Sequence, residues 1–256
     1  MLNYINSELF RISHNKKLYL LLGIVAALII AMGVVLSVFG KDPNFPYATT
    51  AFALGNEYRS MNYLLIIVLV LAAYLDDNEY RQHTMKHSVA FGINRSTIYL
   101  ARFFAQIIVS AVIYILMNVL LVGVSFSLLQ HSNMGEMNEL LRAMTAGIPL
   151  FLAALAISHC FIMNMESIIS AETYAIAIIL ILPMIMNMLG KQVDIIAKLA
   201  YWLPYNLATP FFNESSVLQL TWNIPNGIWH CYLSGLLFTV IFTVAGLAFF
   251  RKREIK

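Results

Sequence analysis

The sequence predicts an all-α, polytopic membrane protein with six transmembrane helices. Three observations carry this. First, 60% of the 256 residues are apolar and only 11% are charged, against roughly 45–50% and about 25% in a soluble domain. Second, the mean hydropathy is +0.76, more apolar surface than one soluble core of this size can hide. Third, six apolar runs each approach the roughly 20 residues that a helix needs to cross the hydrocarbon, and none shows the alternation of a β-barrel strand. The composition excludes an ordinary soluble enzyme and a disordered chain. The net charge of +3 is too small for a nucleic-acid partner, and two cysteines do not make a disulfide scaffold.

The elements follow in chain order. In residues 1–17, Leu2, Ile5, Leu9 and Ile12 recur at three- and four-residue spacing, which predicts an amphipathic helix lying in the membrane interface. The first span, 18–39, is too long for a signal peptide and lacks a small-residue cleavage site, so it is read as retained. Within it Gly23, Ala27 and Ala31 repeat every four residues, a spacing that lets helices pack closely, inside the bundle or across a dimer. The second span, 58–75, is the shortest run. The segment 76–102 follows, with a helix expected over 79–91, Gly92 as its stop and Asn94 or Ser96 capping the next helix.

The third span, 103–129, carries Asn118 midway, placed to hydrogen-bond across a helix interface. The fourth covers 146–163, with His159 and Cys160 as packing residues. A tight corner holding Glu166 leads to the fifth, 168–189, with Glu172 about a turn inside and Pro183 as a kink. In the loop 190–231, residues 191–201 read as a short amphipathic helix broken by Pro204, with Trp202, Tyr205, Trp222 and Trp229 as interfacial anchors. The sixth span is 232–250. Placing both termini in the cytoplasm puts 11 of the 16 Lys and Arg residues on that side and splits the acidic residues evenly, the positive-charge bias expected of a cytoplasmic face.

No catalytic motif appears. Gly40-Lys41 is followed by Asp42 and Gly190-Lys191 by Gln192, so neither is a phosphate loop. His83 and His87 stand four apart but lack the further ligands of a closed metal site. No metal site, cofactor site or catalytic residue is expected in this chain. An intramembrane protease would need a second carboxylate beside Glu172 and His159. A secondary transporter commonly shows internal repeats and midplane charges, and neither is evident.

The order of parts resembles the permease subunit of type-2 ABC transporters, the bacterial exporter class. The local match is EYRQHTMK at 79–86 followed by GINRSTIY at 92–99, similar to that family's glutamate, basic helix and glycine-led turn before the third span. Gln82-His83-Thr84 stand where members typically carry Gly-Thr. Size and loop lengths are similar to small permeases for antimicrobial peptides, including those of lantibiotic immunity. The resemblance implies two permease subunits, identical or paralogous, and two separate ATPase subunits that bind ATP and Mg. It also implies a peptide or lipid-like cargo. The 79–91 helix would seat in the ATPase, with Glu79, Arg81, Lys86, Gly92 and Arg95 at the contact and Glu166 in a second, smaller one.

Overall fold

The computed structural model describes the chain except residues 43, 83–90, 133–134, 214 and 254–256, and the side chains of 77–82. The helices are α1 (Leu2–Ser13), α2 (Lys16–Phe39), α3 (Thr50–Arg59), α4 (Met61–Gln82), α5 (Arg95–Leu128), α6 (Gly135–Asn164), α7 (Ile168–Ile176), α8 (Leu182–Gly190), α9 (Asp194–Tyr201), α10 (Pro204–Ala208) and α11 (Gly227–Lys252). A π-helical turn, Ala177–Ile181, joins α7 to α8. A two-stranded hairpin, β1 (Phe211–Phe212) and β2 (Leu218–Gln219), sits between α10 and α11. Among the described residues, five helical spans are long and apolar enough to cross a membrane, and the bent pair α3–α4 brings the total to six.

Helix starts follow local capping chemistry. The Asn15 side chain accepts from the Lys17 amide at 3.1 Å and starts α2. The Thr49 hydroxyl does the same for α3 through the Phe52 amide, and Asn94 for α5 through the Ser96 amide. Each cap satisfies a backbone donor that the first helical turn would leave bare. Gly92 has φ +80, the left-handed turn that glycine enters without steric cost.

The spans differ in outline from those expected. The second is not one helix from 58: α3 and α4 meet at a 65° bend at Ser60, whose amide closes α3 onto the carbonyls of Asn56 and Glu57. α4 then runs unbroken through Glu79, so no separate helix begins there, and most of the expected 79–91 element lies outside the described residues. The helix that carries the third span begins at Arg95, capped by Asn94, one of the two caps expected. The fourth begins at Gly135 rather than 146, because the polar turn carrying Glu139 and Arg142, an i,i+3 ion pair at 3.5 Å, continues the helix. The fifth covers its expected range as one continuous helix in three pieces, with Pro183 directly after the π-helical turn Ala177–Ile181 that accommodates it. The sixth begins at Gly227.

The core is built around α6. Its buried side includes Ala143, Ala146, Ala153, Ala154 and Ala156, which let α4 and α11 approach closely. A methyl group at Gly235 of α11 would overlap the Pro149 backbone of α6, and one at Gly246 would overlap the Tyr99 hydroxyl. α2 lies at the periphery and touches α5 where Gly33 meets Val124. Gly23, Ala27 and Ala31 are exposed, and nothing lies within 4 Å of an added Cβ at Gly23, so the closely packed small residue of α2 is Gly33. Trp222 is buried in the core rather than anchoring the loop at an interface, whereas Trp229 is exposed.

Candidate coupling site

The ends of α1, α4 and α5 meet at one end of the bundle in a buried charge cluster. Glu8 and Arg11, one turn apart on α1, pair at 2.7 Å. Arg11 donates to the Leu75 carbonyl at 3.1 Å and lies 3.8 Å from the Asp76 carboxylate. Arg102 of α5 approaches the second Glu8 oxygen at 3.5 Å and the Tyr4 hydroxyl at 3.4 Å. Gln106, one turn further along α5, donates to Asp76. Glu8, Asp76, Arg102 and Gln106 are all at most 6% exposed. Two carboxylates balance two guanidiniums, so no net charge is buried. Removing one member would strand the rest, which is the expensive way to disturb such a cluster.

The cluster clamps α1 onto both stems of the connection between α4 and α5. Asn15 adds a further tie, donating to the Tyr74 carbonyl at 3.0 Å. Composition explains the docking: Ile12 and Leu18 are buried with Leu71, Leu75 and Ala105. The stripe read from Leu2, Ile5, Leu9 and Ile12 is rotated, with Leu2 76% exposed and Glu8 buried in its place.

A second set of contacts joins three helix ends at the same end of the bundle. Arg95 donates to the carbonyls of Arg251 and Arg253. Arg251 donates to Ser96 at 2.8 Å, and Arg253 to the Met163 carbonyl at 2.7 Å. The exit of the α4–α5 connection is thus tied to the C-terminal ends of α6 and α11. The Arg95 and Arg253 guanidiniums cap carbonyls that helix ends leave without partners.

The expected coupling residues are placed as follows. Glu79 and Arg81 lie on the last turns of α4, and their side chains, like all of Lys86, His83 and His87, lie outside the described residues. Gly92 forms the turn and Arg95 the carbonyl cap. Glu166 is exposed in the corner between α6 and α7, beside Ile169 at 81% exposure.

The intramembrane polar residues are held locally. Asn118 donates to the Tyr114 carbonyl of its own helix at 3.0 Å rather than bridging to another. Glu172 accepts from Ser158 of α6 at 2.6 Å. His159 is buried between the Tyr99 and Phe103 rings, with a ring nitrogen 3.1 Å from the Tyr99 carbonyl. Among the described residues no group of three His, Cys, Asp or Glu is arranged to hold a metal ion.

Sequence reasoning missed Glu8, Asp76 and Gln106 as a set and treated Arg11 and Arg102 only as topological charges. The signal was present: Glu8 and Arg11 are three apart, and Arg102, Gln106 and Ser110 make a polar line at four-residue spacing through an apolar span.

A family model described as ABC-2 family transporter protein matches residues 4–182, from the first turn of α1 to the first residue of α8. The chain belongs to this family. It is a multi-pass membrane protein of a type that serves as the transport subunit of an ABC system and lacks an ATPase motif of its own. The match takes in the clamp whole, together with the α4–α5 connection. No curated protein matches the chain.

Proposed function

We propose that this ABC-2 permease exports a hydrophobic or amphipathic substrate, an antimicrobial peptide by class, using ATP and Mg bound by separate ATPase subunits. In this reading the end of the bundle bearing the charge clamp is cytoplasmic, with both termini on that side. A second permease copy or a paralogue completes the pathway. The α4–α5 connection seats in the ATPase through Glu79, Arg81, Lys86 and Arg95, with Glu166 in the smaller contact.

One observation carries the proposal: both stems of that connection are bound to α1 through buried charges, and its exit is tied to α6 and α11. A force applied to the connection reaches α1, α6 and α11 as well as its own two stems, as an energy-coupling element requires. The positive-charge bias of the same end supports the orientation.

The test is to express the permease with its ATPase and replace Glu79 and Arg81 together by Ala. Loss of the ATPase from the purified complex, or loss of substrate-stimulated ATP hydrolysis, is expected. Retained assembly with full transport-linked hydrolysis would sink the coupling assignment. Counterflow of peptide in inverted vesicles tests direction separately.

A further inference from the structure

At the opposite end of the bundle, α2, α3 and α5 enclose a groove of about 300 Å³. Leu28, Met32 and Leu36 of α2 form one wall, and Phe52 of α3 with Leu121 and Val124 of α5 complete the apolar lining. Near this end α2 meets α5 at Gly33 and Val124, while the 65° bend carries α3 away from the line of α4 and leaves the groove between the three helices. The apolar walls are crossed by one ionisable group, the carboxylate of Glu57.

Among the described residues Glu57 makes no ion pair or side-chain hydrogen bond. The nearest cation in sequence, Arg59, lies over the Tyr58 ring at 5.6 Å, and Tyr58 donates its proton to Glu136 instead. The other polar atoms of the lining belong to Asn56, Ser60 and Ser125. One carboxylate therefore stands beside an amide and two hydroxyls at the edge of an apolar space. Glu57 is exposed at the rim of the groove, where its carboxylate can receive a cation whose apolar body lies against the walls.

We propose that this groove binds an amphiphilic ammonium, a single positively charged nitrogen on an aliphatic body. The three N–H groups of a primary ammonium suit the Glu57 carboxylate and the oxygens of Asn56, Ser60 and Ser125, and the aliphatic body suits the leucine, methionine and valine walls. A zwitterionic phospholipid fits poorly. Its phosphate would face Glu57, and no Lys or Arg lines the groove to receive it. The site stands apart from the coupling clamp and does not depend on what the transporter carries.

The test uses the full chain in phosphatidylglycerol nanodiscs with two photoreactive probes, an alkyl amine and the matching alkyl alcohol. The amine is expected to label peptides covering 52–60 and 121–129, saturably and at least about tenfold more than the alcohol. Glu57→Gln should reduce amine labelling by a similar factor and leave alcohol labelling unchanged. Ala53→Phe keeps the charge but fills the space, and should abolish labelling, which decides the matter if Glu57→Gln fails to fold. Equal labelling by the two probes overturns the proposal, as does amine labelling unaffected by either variant. Displacement of the amine by added phosphatidylethanolamine, as effective as by dodecylamine, overturns it in favour of a lipid site.

Discussion

α2 and α6 both read as membrane spans, yet they occupy opposite environments. In the most apolar stretch of α2 only 6% of residues are buried by the rest of the chain; in α6 the figure is 83%. α2 presents Leu20, Ile24 and Leu28 outward, each more than half exposed. α6, the less apolar of the two, buries alanines, Gly147, Ser158 and His159. In water the most apolar helix would be the most buried. In a bilayer, lipid tails satisfy leucine as well as protein does, so hydropathy decides what enters the membrane. Small and hydrogen-bonding residues decide what packs together.

The contrast can be broken or sharpened by substitution. The largest effect is expected at the clamp. Arg102→Ala leaves the buried carboxylates of Glu8 and Asp76 with one guanidinium, that of Arg11, between them and should cost about 3 kcal/mol, seen as a large fall in thermal unfolding temperature in detergent. A shift no larger than that of a surface variant would show that water replaces the guanidinium. Next is the α6–α11 contact. Gly235→Val drives a side chain into the Pro149 backbone and should cost about 1–3 kcal/mol or prevent assembly, measured by the same melt and by monodispersity on gel filtration. Asn15→Ala removes the α2 cap and the tie to Tyr74, for a loss of about 1 kcal/mol. α1 should then become more accessible to protease.

The smallest effects belong to the exposed face of α2. Gly23→Leu and Leu28→Ala should each change stability by no more than about 0.5 kcal/mol, whereas Gly33→Leu, ten residues along the same helix, meets Val124 and should be clearly destabilising. If Gly23→Leu proved as damaging as Gly33→Leu, the free face of α2 would have to be covered in the assembled transporter. Comparison of melts before and after adding the ATPase and second permease subunits distinguishes the two situations.

These contrasts also mark what could be read from residues alone. The spans, the α1 helix and the Gly92–Asn94 punctuation were legible because periodicity, length and capping are local. The bend at Ser60 was not, since Thr49, Asn56 and Ser60 are ordinary loop residues until α3 is tied to Gln130 and Ser132. The clamp was half legible. Glu8–Arg11 and Arg102–Gln106 are local pairs, but that both converge on Asp76 depends on how α1 folds back over α4. Gly23, Ala27 and Ala31 carried the spacing of a packing stripe without the packing, because spacing names a face and not its neighbour. Glu57 drew no notice for the opposite reason. A carboxylate beside Asn56 and Arg59 looks like an outer-loop charge until α3 lies against α2 and α5.

The contact of Gly235 with Pro149 has a consequence for motion. Two helices that meet backbone to backbone, with no intervening layer of side chains, cannot slide or roll past each other without first separating. α6 and α11 therefore act as one stator. Any cycle that opens the protein alternately to the two sides of the membrane has to turn the remaining helices about that shaft, and α2, which has the fewest attachments to it, has the most room to swing.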